Sequence, residues 1–287
     1  MTAQASRPRI AFQGELGAYG HEACAQARPD HEPLPCPTFE DALSAVREGR
    51  AELGMIAVEN STYGRVADVH RLLPHSGLKI VGESYVRVRI ALMAPRGRTL
   101  DDVKLVRAHL VLIPQADGFL KARGIRAEPA ADSAGAAAAL AVSKAPGEGA
   151  LASRLAAETY GLDVLAEDIE DHGHNTTRFL VMAGEARPAP RGAGPVKTTF
   201  VFRVRNIPAA LYKAMGGFAT NGVNMTKLES YMVDGRFSAT QFYADIEGHP
   251  DDPPVARTLE ELGYFTDHLA VLGVYPADPD HFDGGHA

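Results

Sequence analysis

The chain has 287 residues, more than the ~100–200 of one ordinary domain, so two domains are expected. Its 45% apolar content suffices for packed cores, and a net charge of −7 without any lysine- or arginine-rich block argues against a nucleic-acid partner. No run reaches the ~20 apolar residues of a membrane span and Met1 to Arg9 holds no signal-peptide core, so a cytoplasmic protein with no membrane partner is expected.

In chain order, Ile10-Ala11-Phe12 reads as a strand leading into a turn marked by Gly14 and Gly17. Thr38 suits the N-cap of a helix with Phe39, Ala42, Leu43 and Val46 on one face and Gly49 at its end. Leu53 to Val58 is apolar throughout, as a central parallel strand is, so Glu59-Asn60-Ser61 begins at its carboxyl end. Val66, Val69 and Leu73 form a helical stripe that Pro74 stops. From Tyr85 to Met93 the period changes to two, which predicts one half-exposed strand. Ser133 is expected to cap an alanine-rich helix through Val142, followed by a buried strand at 149–152 and a helix from Arg154 to Tyr160. Asn175-Thr176-Thr177-Arg178-Phe179 then meets the strand-like run to Met182. This alternation predicts a doubly wound α/β unit, with crossing segments at 84–93 and near 166–178 dividing it into two lobes around a cleft.

Gly184 to Pro195 is a Gly, Pro, Ala and Arg stretch that cannot supply a core and reads as a linker. The expected division is a domain at 8–184, a linker at 185–195, a second domain at 196–277 and a tail at 278–287. Residues 196–287 carry 7 Lys+Arg against 12 Asp+Glu, leaving 22 against 24 before them, so an anionic ligand in the first domain must be met by local cations. In the second domain, strands at Thr198–Val204, Val223–Met232, Phe237–Ile246 and Leu269–Val274 alternate with helices at Ala209–Thr220 and Val255–Leu262. Their order is the βαββαβ of a ferredoxin-like unit, with the Val233-Asp234-Gly235-Arg236 turn closing a hairpin. Two helices cover one face of such a sheet, so pairing with a second copy through the other is expected.

Ligands of open α/β sheets bind beyond the carboxyl ends of the strands. The two polar clusters place hydrogen-bond donors and one ion at such positions, without a nucleophilic cysteine, a metal-ligand pair or a phosphate-cradling loop. The chemistry they point to is hydrogen bonding and proton donation. Each residue also has a plainer role open to it. Asn60 and Ser61 suit the N-cap of the helix containing Val66, Thr176 suits a strand, Phe179 suits a core, and Glu59 is either a surface carboxylate or a buried acid. Cys24 and Cys36 fit no zinc or redox spacing, and Asp171, His172 and His174 read as a solvated loop, so no metal or cofactor is expected.

Together these segments resemble a known family. Glu59-Asn60-Ser61 followed by Gly64 and Val66, and Asn175 to Phe179, are similar to the two signature motifs of prephenate dehydratases. Ala108-His109 through Gln115 to Phe119-Leu120 is similar to a third family segment, and the C-terminal unit resembles the ACT amino-acid-binding module attached to these enzymes. The resemblance covers residues 9–276. The chain departs from the family at Gly17-Ala18-Tyr19-Gly20, at Ala108, Leu110 and Val111, at Ala209 and at Tyr231-Met232.

The resemblance implies a two-lobed, periplasmic-binding-protein-like catalytic domain and an ACT domain, in a homodimer or homotetramer. It implies a lyase that converts prephenate to phenylpyruvate in phenylalanine biosynthesis, with phenylalanine as allosteric effector. Thr177 and Asn60 would donate hydrogen bonds to the departing hydroxyl, with Gln115 and Ser61 in support. Arg178 would hold the pyruvyl carboxylate, with Glu59, His109 and Phe179 completing the substrate site. Ala209, Ala210, Leu211, Asn221, Asn224, Leu228, Glu229 and Ser230 would form the effector site. An arogenate dehydratase and a catalytically silent amino-acid-binding regulatory protein are the alternatives.

Overall fold

The computed structural model describes residues 7–232 and 239–281, so the expected 233–236 turn lies outside the described residues. The chain forms two compact units, residues 1–69 with 84–179 and residues 70–83 with 180–287. The segment 70–83 therefore groups with the C-terminal unit, which a division along the sequence could not anticipate.

The first sheet of the larger unit is built from β1 (Arg9–Gln13), α1 (Tyr19–Ala27), β2 (Glu32–Cys36), α2 (Phe39–Arg47) and β3 (Leu53–Asn60). β1 lies between β2 and β3 and is parallel to both. Thr38 caps α2 as expected by accepting from Asp41 N, and the acidic first turn and Arg47 in the last oppose the helix dipole favourably. Gly17 has a φ of +87°, and a Cβ there would lie 2.6 Å from Ala156 Cα, so the turn after β1 admits no side chain. After β3 come the two-residue β4 (Gly64–Arg65), paired antiparallel to the end of β3, and α3 (Ala67–Leu72), with Pro74 in a following 3₁₀ turn.

The expected single strand at 85–93 is two, β5 (Lys79–Arg87) and β6 (Ala91–Ala94). The alternation holds only to Ile90, with Val86, Val88 and Ile90 buried between exposed Arg87 and Arg89; β6 is buried on both faces, Ala91 and Met93 included, so the expected half-exposed strand does not extend through it. At the break, however, Ile90 N donates to the Glu170 carboxylate and Val88 N to Asn175 O, so the backbone leaves the ladder for partners far along the chain.

The second sheet adds β7 (Leu105–His109), α4 (Asp117–Ala122), β8 (Arg126–Ala130), α5 (Ser133–Ser143), β9 (Glu148–Ala152), α6 (Arg154–Tyr160) and β10 (Asp163–Ala166). Its order is β10-β6-β9-β7-β8. α5 presents Ala134, Ala136 and Ala137 to Ala150 and Ala152, small residues that let helix and sheet approach closely. The cap of α5 is Asp132, which accepts from Gly135 N; Ser133 is already helical, and its hydroxyl accepts from His109 N. β11 (Thr176–Ala183) starts inside the second polar cluster rather than after it.

The C-terminal unit contains β12 (Val196–Val204), α7 (Ala210–Thr220), β13 (Met225–Met232), β14 (Ala239–Glu247), α8 (Pro253–Phe265) and β15 (Thr266–Pro276), the expected βαββαβ order. The strands run β13-β14-β12-β15, antiparallel, and β15 meets β5 at Gly273↔Ile80, where a Cβ on Gly273 would come within 2.6 Å of Ile80 Cβ. Phe200, Phe202, Phe242 and Ile246 form the core with Phe218 of α7 and Leu262 of α8. The other sheet face, expected to be bare, is met by residues of the segment 70–83. His70 bonds the Tyr231 hydroxyl at 2.8 Å and meets Tyr243 edge-on, and Lys197 Nζ pairs with Glu83 at 3.0 Å with both side chains buried. The stretch 184–195 is tied to this unit through Ala189 N to Val274 O and Arg191 to Asp252. Among the described residues no helix is long and apolar enough to cross a membrane.

Candidate active site

The carboxyl end of β3 and the amino end of β11 are joined by backbone and by one hydroxyl. Ser61 N donates to Thr176 O at 2.9 Å, Thr176 N donates to Ser61 Oγ at 2.9 Å, and Ser61 Oγ donates to His174 O at 3.2 Å. Ser61 is thus a tie between the two segments, its hydrogen bonds going to backbone groups of His174 and Thr176. Asn60 does not cap α3, which begins only at Ala67. Its Oδ1 accepts from Thr62 N at 2.9 Å and Tyr63 N at 3.0 Å, closing the turn to β4.

This turn aims the Asn60 amide nitrogen across the site. Asn60 Nδ2 donates to Thr177 Oγ1 at 3.0 Å and to Asn175 Oδ1 at 2.6 Å. Asn175 Nδ2 donates in turn to Gln115 Oε1, and Gln115 Nε2 donates to Val111 O at 2.9 Å. Asn60, Gln115 and Thr177 are partly exposed, whereas Asn175 is buried at 2%. Three of the four expected catalytic residues are therefore brought together, and Asn175 is what joins them. The sequence places Asn175 in the motif without giving it a role; the signal was a short polar side chain one step before a strand and two positions from Thr177, the spacing that puts both on one face.

The other expected residues fall into place differently. Arg178 and Glu59 form an ion pair at 2.7 Å, with side-chain exposures of 6% and 28%. That contact suits an ionised carboxylate, so it favours Glu59 as the partner that orients Arg178 over Glu59 as a proton donor. Phe179, expected to touch substrate, is 3% exposed and is a core side chain. His109 is exposed at the end of β7, and its Nδ1 accepts from Val111 N at 3.3 Å, so it supports the loop that holds Gln115. Tyr19, in the departing first loop, donates its hydroxyl to Arg89 O, and burial pushes its phenol upward. His172 and His174 are exposed, and no cluster able to hold a metal ion occurs among the described residues. Cys24 and Cys36 are buried free thiols, with burial pushing Cys24 up to about 12.

In the C-terminal unit, Ala209 has a φ of +61° and precedes α7, whose first turn has no side-chain cap; Ala210 and Leu211 open that turn. The Asn221 side chain donates to Gly217 O and Glu261 and accepts from Arg257. Asn224 donates to Glu247 at 2.9 Å, and Glu229 lies 3.5 Å from Lys227. Leu228 and Ser230 are exposed on the edge strand β13.

The family profile described as prephenate dehydratase matches residues 10–187, more than half of the chain. The chain belongs to the prephenate dehydratase family. A bifunctional N-acyl-homoserine lactone acylase/prephenate dehydratase of Komagataeibacter europaeus is 50% identical, with 94% of this chain and 96% of that one covered. Arogenate dehydratase 2 of Petunia hybrida is 36% identical over 97% of this chain and 74% of its own. The crystal structure of the Arthrobacter aurescens prephenate dehydratase, in complex with L-Phe, superposes with a TM-score of 0.85 at 30% identity, covering 93% of this chain and 89% of that one.

Proposed function

We propose that this chain is a prephenate dehydratase of phenylalanine biosynthesis, working in the cytoplasm. The observation that carries the reading is the direction of one hydrogen bond: Thr177 Oγ1 accepts from Asn60, so the hydroxyl's own hydrogen is turned elsewhere and can be given to a ligand. In the reaction the bond from ring to carboxylate breaks, its electron pair enters the ring, and the ring hydroxyl on the opposite carbon leaves. Carbon dioxide, water and phenylpyruvate result, with one proton taken up by the departing hydroxyl. Aromatisation supplies the driving force, and the protein must stabilise charge on the leaving oxygen and hold the ring so that both bonds align. Thr177 serves as the donor to that oxygen. Arg178, held by Glu59, anchors the pyruvyl carboxylate, and the ring carboxylate is left without a tight ion pair that would oppose its loss.

The C-terminal unit is read as an ACT domain that binds phenylalanine between two copies of a homo-oligomer, at the start of α7 and the edge strand β13. The backbone N–H groups there suit an amino acid's carboxylate, and Tyr231-Met232 distinguishes this site from the family pattern. Purified protein assayed with prephenate and with arogenate, following phenylpyruvate and phenylalanine, tests the activity; turnover of neither would overturn it. Titration with phenylalanine, with oligomeric state measured by light scattering, tests the regulation. The identity to the Komagataeibacter protein supports a second reading, hydrolysis of N-acyl-homoserine lactones, which the same preparation tests directly.

A further inference from the structure

An Asn or Gln side chain carries a carbonyl and an amino group of nearly the same shape, so a relay of three such amides could run in either direction. Two backbone anchors remove that freedom here. At one end Asn60 Oδ1 faces the N–H groups of Thr62 and Tyr63, which can only donate, so its Nδ2 must face inward. At the other end Gln115 faces the carbonyl of Val111, which can only accept, so its Nε2 faces outward and its Oε1 inward. The side chain between them must accept on one side and donate on the other. Asn175 does both, and at 2% exposure it leaves solvent no place to mend a mismatch.

We infer that Asn175 is a positioning residue that joins Asn60 to Gln115 in the one polarity their backbone anchors allow, and so holds both amides, and the Thr177 hydroxyl that Asn60 meets, in place. Resting on the reading of Thr177 as donor, it adds what holds that donor in its orientation. With the relay as built, Asn60 donates to Thr177 and the hydroxyl hydrogen is turned outward. If the Asn60 amide turned over, Thr177 would donate to its carbonyl and have no hydrogen for a leaving group.

The decisive variants are Asn175→Asp and Asn175→Leu. A carboxyl introduced at this buried position resists ionisation. While protonated it accepts from Asn60 and donates to Gln115, which reproduces the native polarity; once ionised it can only accept, and it faces Gln115 Oε1 oxygen to oxygen. The link to Asn60 survives ionisation and the link to Gln115 does not, so the kcat of Asn175→Asp on prephenate relative to wild type should be near normal at acid pH and fall on the order of 10²-fold as pH rises, the scale of losing one positioned transition-state donor, with KM little changed. Taking the ratio removes the titration of His174, Arg178, Glu59 and His109 on the elements that carry the relay, which wild type shares. Asn175→Leu should be slow at every pH. A ratio flat with pH, or a leucine variant of normal kcat, would overturn the inference. A second readout is independent of turnover. The Asn60 and Gln115 side-chain amide resonances, slow to exchange in wild type, should exchange quickly in Asn175→Leu, and in Asn175→Asp only above the pH at which it ionises. If wild type does not act on prephenate, the proposed function fails, and these amide exchange rates alone decide whether the relay exists.

Discussion

Replacing Thr177 by valine removes one hydroxyl while leaving the shape of the side chain nearly unchanged. Two effects follow from the geometry, and they are read by different measurements. The first is catalytic. The hydroxyl acts on the leaving oxygen only as charge develops there, so its loss should lower kcat by roughly 10²–10³, about 2.7–4 kcal/mol, while KM moves little. The second is structural. Asn60 Nδ2 loses the acceptor at 3.0 Å but keeps Asn175 at 2.6 Å, and Asn60 is only partly buried. The stability cost should be about 1 kcal/mol, the usual net value of one hydrogen bond. That corresponds to a Tm lower by roughly 2–4 °C for units of 150–250 residues. Thr177→Ser keeps the hydroxyl and should recover most of kcat. Steady-state assays with prephenate, paired with calorimetry on the same samples, give both quantities. A valine variant with kcat within about threefold of wild type would refute the assignment of Thr177 as donor.

Other expectations concern the rest of the molecule. Lys197→Met removes the buried ammonium that pairs with Glu83 and leaves that carboxylate a buried charge held by neutral donors such as Asp278 N, so chemical denaturation should show a loss of about 3–5 kcal/mol, much of it recovered by adding Glu83→Gln; a single-variant loss under about 1 kcal/mol would contradict the buried pair. Burial raises both thiols, so Cys24 and Cys36 should react slowly with a thiol reagent in the native protein at pH 8 and fast after denaturation, and rapid native labelling would contradict their placement. Burial lowers the His21 imidazole below its ordinary 6.5, and its Nδ1 accepts from Gly17 N. The unfolded chain therefore binds a proton at His21 before the folded one does. Stability should fall as pH drops from 6.5 toward the lowered folded value, and His21→Asn, which keeps an acceptor at that position, should flatten this part of the curve. An unchanged slope in the asparagine variant would place the acid sensitivity elsewhere.

Local rules decided much of this protein from the sequence alone. The Thr38 cap, the helix at Arg154–Tyr160 and the βαββαβ order of residues 196–276 depend on neighbours a few positions apart, and so appear in any reading of period and punctuation. The two polar clusters were legible for the same reason, as short breaks at the ends of apolar strands. What those residues do to each other was not. Asn60 meets Asn175 and Thr177 across 115 and 117 positions, and Asn175 meets Gln115 across 60, so only the fold brings them within a hydrogen bond. The fold also separated equals. Ser61 and Phe179 belong to the same motifs, yet one is used by the backbone of 174–176 and the other by the core. The polarity of the relay is set by backbone groups of Thr62, Tyr63 and Val111, and every residue carries such groups whatever its name. A backbone donor or acceptor gains meaning only from its position in space, and so the direction of the Thr177 proton was decided by the tertiary structure.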